Sequence, residues 1–205
     1  MRTPVLLIER PRPGVVALCL NRPECRNALN IALLEELLAA VQAASAEPEV
    51  RAIVLRHTGP VFCAGLDLKE ARDSTISHNS GQRMAEVLHA LYASPKATIA
   101  AARGAALAGG AGLLAACDIS VAATEARIGF PEVRVGLVAG LVMTLLRRQA
   151  PERLVRELLL TGETLSAERA ETLGLLTRAV PEAMLDDMVD TLLESVLKGA
   201  PEAIA

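Results

Sequence analysis

The chain has 205 residues, 52% of them hydrophobic, with 21 Lys and Arg against 24 Asp and Glu for a formal net charge of −3. That balance, with no long basic run, removes the electrostatic basis for holding a nucleic-acid backbone. Trp is absent, Tyr occurs once and Phe twice, so there is no stacking platform for unpaired bases, and a core large enough to need no staples has to be built from Ala, Leu and Val.

In chain order, Val5–Glu9 and Val15–Leu20 read as strands flanking the turn signal Pro11-Arg12-Pro13-Gly14. Asn30 is placed to cap a helix whose Leu34, Leu37, Leu38 and Val41 fall at helical spacing. Ala52–Arg56 is a short buried strand that leads through Thr58-Gly59-Pro60 into a glycine-containing turn, Phe62 to Lys69. Helical pattern runs from Lys69 to Tyr92, interrupted by a polar, β-branched stretch, Asp73–Gly81, that predicts a loop; Pro95 ends it. Thr98–Ala102 is a strand before a second glycine turn, Gly104 to Gly112. Ile119–Ala122 and Ala126–Gly129 read as strands, and Leu137–Gln149 and Glu152–Leu160 as helices. Ser166 caps a further helix with Glu168 in its first turn, Gly174 ends it, and Pro181 opens a last one to about Leu197. The class is α/β, with a core over residues 1–181 and a helical region over 182–205. The final helix carries a stripe, Met184, Leu185, Met188, Leu192, Leu193 and Val196, that has to bury against a neighbour or its own core.

The cysteines, Cys19, Cys25, Cys63 and Cys117, show no C-x-x-C pair and no His at ligand spacing, so they predict small buried hydrophobes and no metal. Met1-Arg2-Thr3-Pro4 precedes only a short apolar run, and the uncharged stretch 104–117 is too short and glycine-rich to span a bilayer. These features predict a cytoplasmic chain that engages neither membrane nor nucleic acid. Gly110-Ala111-Gly112-Leu113-Leu114-Ala115 matches a dinucleotide fingerprint in form, but no acid follows at the spacing a ribose needs, which leaves nicotinamide chemistry the weakest reading. Neither a phosphate-binding loop nor a G-x-S-x-G nucleophile elbow occurs. His57, His78 and His89 stand apart without a supporting nucleophile.

Two glycine turns, each between a strand and a helix, leave backbone N–H groups free at a helix start, where negative charge is held. Converging on one point, they would form an oxyanion hole for charge developing on a carbonyl oxygen. Most acids fall on solvated helix faces, but Glu132 follows the apolar strand end Ile128–Pro131 and precedes Val133–Val142. Such a carboxyl is partly desolvated, which raises its pKa and suits it to proton exchange near neutrality; a buried structural acid is the alternative.

At these residues the chain resembles the enoyl-CoA hydratase/isomerase, or crotonase, superfamily. The likeness runs through Asn21–Glu24, Arg26–Leu29, Phe62–Glu70, Pro95–Ala100, Gly104–Gly112, Cys117–Ile119, Phe130–Glu132, Leu160–Glu163 and Leu175-Leu176 in order. It implies a spiral of ββα units followed by trimerising helices, and an acyl-CoA thioester as substrate, coenzyme A being part of that substrate with no separate cofactor. Carried over by position, it assigns the oxyanion hole to the N–H groups of Leu66 and Gly109. It lays Ala64, Leu66, Asp67, Leu68 and Lys69 along the coenzyme A, with Arg26 near its phosphates or, equally, solvated in its loop. The pattern also departs from the family. Gly112 stands where two-glutamate hydratases carry their first acid, and Gly140 where related isomerases carry Asp. Val138–Met143 replaces the usual Pro-Gly-x-Gly-Gly, and family members commonly continue past the position of Ala205. Glu132 is thus left as the expected catalytic residue. The wording of Gly110–Asp118 resembles a bacterial subgroup labelled enoyl-CoA or methylglutaconyl-CoA hydratases. Hydration of a 2-enoyl-CoA is slightly preferred; double-bond isomerisation by Glu132 alone and acyl-CoA binding with weak or no catalysis stay open. A homotrimer or hexamer is expected.

Overall fold

Two layers of apolar side chains organise the fold, as a computed structural model describing residues 3–67, 69–70 and 74–204 shows. Strands β1 (Leu6–Arg12), β2 (Val15–Leu20), β3 (Ala52–His57), β4 (Ala97–Ala102), β6 (Ile119–Ala123) and β9 (Arg178–Val180) form one sheet in the order β1-β2-β3-β4-β6-β9. Only β1 and β2 are antiparallel; from β2 onward each neighbour is parallel. The intervening β5 (Ala105–Leu107) pairs with β7 (Arg127–Gly129), and β7 with β8 (Thr164–Ser166), in a second, three-stranded sheet. Pattern alone missed β5, β8 and β9, each three residues long and too short for any periodicity to register.

Strand side chains alternate between faces, and both faces of the larger sheet are apolar. Val16, Leu18, Leu20, Ile53 and Leu55 meet α1 (Ile31–Ala46), α2 (Ser74–Tyr92) and α3 (Gly109–Ala116) in the main core. Val15, Ala17, Val54, Ile99 and Ala101 pack on the other face. There they meet Val189 and Leu193 of α7 (Leu185–Lys198). The last amphipathic stripe is therefore buried against the chain's own sheet through Leu185, Val189 and Leu193, while Met184 stays exposed. Ion pairs from Arg103 to Asp186 (2.8 Å) and from Arg12 to Asp190 pin α7 to that sheet.

Three sequence expectations change. The polar stretch up to Gly81 lies in α2 from Ser74 onward instead of forming a loop, Asp73 falling outside the described residues; Ser80, Met84, Val87, Leu88 and Leu91 bury one face of this helix, and tertiary packing overrides weak local propensity. The helix expected from Leu137 begins only at Gly140, as α4 (Gly140–Gln149), because residues 131–135 form a tight 3-10 turn closed by Gly136 in the left-handed region. Cys63 and Cys117 are buried, but Cys19 and Cys25 only partly so. The chain continues through α5 (Glu152–Thr161) and α6 (Ala167–Thr172), and closes the described region with α8 (Pro201–Ile204). The caps foreseen at Asn30 and Ser166 are present, accepting from Leu33 N at 3.1 Å and Arg169 N at 3.2 Å.

Asn27, fully buried at φ 52°, ties the loop after β2 to the loop after β3. Its Nδ2 donates to the carbonyls of Thr58 (2.9 Å) and Val61 (2.8 Å), and its Oδ1 accepts from Arg22 N (2.8 Å). Asn tolerates the left-handed conformation better than most residues. Asn27→Ala strands three partly buried backbone groups, and urea denaturation should show a loss of about 3 kcal/mol.

Candidate active site

The first glycine turn and the second run side by side. Phe62 N donates to Arg103 O, Cys63 N to Ala105 O, and Leu107 N to Cys63 O, at 3.1, 3.1 and 2.9 Å. This lacing leaves no room for side chains. A Cβ on Gly104 would lie 1.8 Å from Pro60 O, and one on Gly110 2.4 Å from Cys63 O. At Gly65, with φ +92°, it would meet Ala108 Cβ at 2.8 Å and the backbone nitrogen of Gly109 at 3.4 Å. The second turn therefore delivers the start of α3 directly against the first.

Gly109 is the first residue of α3, so its N–H has no partner inside the helix. Among the described residues neither Leu66 N–H nor Gly109 N–H is engaged: the neighbouring bonds run from Leu29 N to Gly65 O and from Asp67 N to Leu29 O instead. Ala108, the residue that aims Gly109, sits at φ 51°, ψ −122°, a conformation alanine rarely adopts. Its N–H donates to Gly129 O at 2.8 Å, which couples the helix start to the strand end preceding Glu132. No sequence signal marks an alanine for this role.

Glu132 lies in the 3-10 turn Pro131–Val135, whose position is fixed by Leu137 N donating to Glu132 O at 2.9 Å. Its Oε2 is buried and has no hydrogen-bond partner among the described residues. Burial holds the carboxyl above the usual carboxylate range, opposed only by its own backbone N–H. Ala64, Leu66, Gly109 and Glu132 line one cavity of about 360 Å3, whose remaining wall is largely Met84, Pro131, Val138, Ala139, Leu141 and Val142. The unusual run Val138–Met143 thus does furnish a wall of this cavity, and its side chains make that wall apolar.

Other expected residues lie apart from the cavity. Arg26 is exposed, at φ 55°, and its carbonyl accepts from Ala64 N at 3.0 Å. Asp67 pairs with Arg22 at 3.4 Å and accepts from Lys69 N at 3.1 Å, closing its own turn. Lys69 is exposed, and Leu68 lies outside the described residues. Glu70 accepts from Ile31 N at 2.9 Å, bracing the start of α1. The Gly110–Ala115 segment that resembled a dinucleotide fingerprint is inside α3 and buried. His57 accepts from Arg103 N through Nε2 at 3.0 Å, and burial lowers its pKa, so it is a neutral structural group. Burial pushes the Cys63 thiol up to about 12, which makes it inert as a nucleophile. Among the described residues no group of His, Cys, Asp and Glu is arranged to hold a metal, and no helix is long and apolar enough to cross a membrane.

Gly112 and Gly140, where further acids were considered, differ. A Cβ on Gly112 would lie 3.0 Å from Val142 Cγ2 and 3.6 Å from Leu88 Cδ2, whereas one on Gly140 would meet nothing within 4 Å. Val142 therefore fills the space into which a side chain at 112 would project.

The mixed α/β fold is that of the crotonase class of enzymes. The family model described as enoyl-CoA hydratase/isomerase matches residues 10–205, and the chain belongs to that family of enzymes. It is 36% identical over 206 residues to an enoyl-CoA isomerase/hydratase of Mycosarcoma maydis, covering 93% of this chain and 74% of that protein. It is also 32% identical over 199 residues to the 2,3-dehydroadipyl-CoA hydratase of Escherichia coli K12, covering 97% and 78%. Among solved structures, an enoyl-CoA hydratase of Mycobacterium smegmatis superposes with a TM-score of 0.95 at 36% identity, covering 99% of this chain and 80% of that one.

A buried acid whose pKa is raised by folding holds extra protons in the native state, so its ionisation opposes folding. Stability from this group is complete below its ordinary pKa and is lost as pH rises through the folded value. Glu132→Gln removes that cost. Thermal denaturation should show the variant more stable than wild type at pH 8, with the gain vanishing by pH 4.

Proposed function

We propose that the chain hydrates a 2-enoyl-CoA thioester, with Glu132 as the proton carrier and the N–H groups of Leu66 and Gly109 as the oxyanion hole. The observation that carries this reading is the unpartnered, buried Oε2 of Glu132 on the same cavity as two free N–H donors. Donors aimed at a developing charge in a dry setting supply the largest share of such catalysis. The thioester oxygen accepts from Leu66 and Gly109. The ionised carboxylate takes a proton from water as its oxygen bonds to C3, and the C2=C3 pair moves to place the charge on the thioester oxygen. The protonated Glu132 then returns its proton to C2 as the thioester C=O re-forms. One carboxyl thereby serves in turn as base and acid. The hydratase names of relatives support this direction of reaction.

A second reading is favoured by one observation: Val142 occupies the space beside Gly112, so no second acid stands there to help activate water. Glu132 alone suffices to move a proton from C2 to C4 of a 3-enoyl-CoA, shifting the double bond. The two reactions separate spectroscopically. Loss of conjugated thioester absorbance on adding a 2-enoyl-CoA means hydration, and its appearance from a 3-enoyl-CoA means isomerisation. Glu132→Gln should lower turnover about 10²–10⁴-fold on the accepted substrate with little change in acyl-CoA affinity. Near-full activity of that variant would remove Glu132 from the role.

The rim of the cavity supports a statement about assembly. Val135 and Leu137 are exposed there, and Val138 is 90% exposed, an apolar surface that calls for cover. The proposed state is a homotrimer or hexamer in the cytoplasm, and sedimentation at micromolar concentration should find no monomer.

A further inference from the structure

The ladder between β3 and β4 ends at Leu55 and Ala100, and beyond it the chain enters the two glycine turns. A side chain takes over where the ladder stops. His57, the last residue of β3, accepts through Nε2 from Arg103 N at 3.0 Å, one residue past the end of β4. Its Nδ1 lies 3.4 Å from Thr58 O, a carbonyl that Asn27 Nδ2 also holds, at 2.9 Å. Only the tautomer with its hydrogen on Nδ1 leaves Nε2 free to accept.

The same ring packs edge to face on Phe62, with centroids 5.5 Å apart. His57 therefore touches the first turn at Phe62 and the second at Arg103. These two residues are themselves joined, Phe62 N donating to Arg103 O at 3.1 Å. Little slack follows. Gly104, at φ +65°, has Pro60 O 1.8 Å from where a Cβ would stand. The bonds from Cys63 N to Ala105 O and from Leu107 N to Cys63 O then carry the register of the two turns on towards Gly109.

The charged group acting on the ring is the Arg103 guanidinium, itself paired with Asp186 at 2.8 Å and Glu182 at 3.6 Å. Burial first, and then that guanidinium, hold His57 below the ordinary histidine value, against the carbonyls of Thr58 and Val61, which favour the charged ring. Near neutral pH the ring is thus the neutral acceptor. Protonation at Nε2 would set one N–H against another and end the bond to Arg103.

We propose that His57 is a positioning residue for the oxyanion hole: as a neutral acceptor it holds the second glycine turn in register with the first, and its protonation in acid loosens the grip of Leu66 and Gly109 on the thioester oxygen. A shift at Arg103 passes along the laced backbone to the N–H of Gly109, and one at Phe62 to that of Leu66. Small misplacements of such donors are costly, because they act only when aimed at the developing charge. The inference rests on the proposed function's placing the thioester oxygen at those two N–H groups.

The test reads the hole without turnover, as the infrared carbonyl stretch of bound butyryl-CoA, isotope-labelled at the thioester carbon. Hydrogen bonds from the hole should lower that frequency in wild type. His57→Leu removes the acceptor and should lose about half of the lowering or more; kcat on the accepted enoyl-CoA should fall about tenfold or more, with KM nearly unchanged. His57→Gln, whose amide oxygen accepts and does not titrate, should keep most of the lowering. In wild type the lowering should shrink reversibly as pH falls below about 6.5, and in His57→Gln it should persist. Glu132 titrates in both proteins, so their difference isolates His57, and this comparison stands even where His57→Leu does not fold. An unchanged lowering in folded His57→Leu overturns the inference, as does the same pH course in wild type and His57→Gln. Absence of any lowering in wild type overturns it together with the placing of the thioester. A lowering that depends on His57 without turnover of any enoyl-CoA supports the inference and removes only the proposed reaction.

Discussion

The site depends on how closely two backbone segments approach each other. Residues 62–66 and 103–110 are laced by main-chain hydrogen bonds, and at Gly65, Gly104 and Gly110 a single carbon would collide with backbone or a packed Cβ. Because the contact is backbone to backbone, the positions of the N–H groups at Leu66 and Gly109 are set by covalent geometry and hydrogen bonds rather than by rotamers. A donor pair fixed this way needs no rearrangement as charge develops opposite it. The cost appears at Ala108, whose left-handed φ is imposed by the neighbours it bridges.

Around this contact the rest of the fold acts as a clamp. The parallel strands β3 and β4 bring the two turns out at neighbouring strand ends. Asn27 secures the loop beneath them. The T-shaped contact of His57 with Phe62, at 5.5 Å, packs the entrance of the first turn. The carbonyl of Gly129 reaches Ala108, so the segment bearing Glu132 is registered to the same helix start that carries Gly109. Acid and donors are thereby held in one frame, although 66 residue numbers separate Leu66 from Glu132.

Much of this was legible in the sequence, for physical reasons that differ by element. Strands such as Val15–Leu20 and a capped helix such as that after Asn30 announce themselves because their apolar residues repeat and their polar ends have one purpose. Both glycine turns were legible because a glycine cluster between a strand and a helix marks a place where backbone must pass close to something else. Glu132 stood out as an acid among apolar neighbours. What could not be read was anything decided by contact at a distance. Ser74–Gly81 is helical as part of α2, whose Ser80, Met84, Val87, Leu88 and Leu91 are buried and which packs on α1, a partner that local pattern does not contain. The strained Ala108 looks like any alanine. Nor did local pattern show that the Arg26 carbonyl accepts from Ala64 N, or that Asp67 pairs with Arg22 while accepting from Lys69 N.

The packing of Gly112 against Val142 makes these two positions a single volume shared between α3 and α4. At 3.0 Å from Val142 Cγ2, a Cβ at 112 has nowhere to go unless residue 142 shrinks or α4 shifts. The chemistry open to this scaffold is therefore coupled to a packing exchange thirty residues away: a side chain gained at one position has to be matched by bulk lost at the other. An acid introduced at 112 alone would be tested first as a core substitution and only afterwards as a catalyst. Routes between one-acid and two-acid versions of the site accordingly run through paired changes, and the order of the pair matters, since shrinking 142 first leaves a cavity, whereas enlarging 112 first forces a clash.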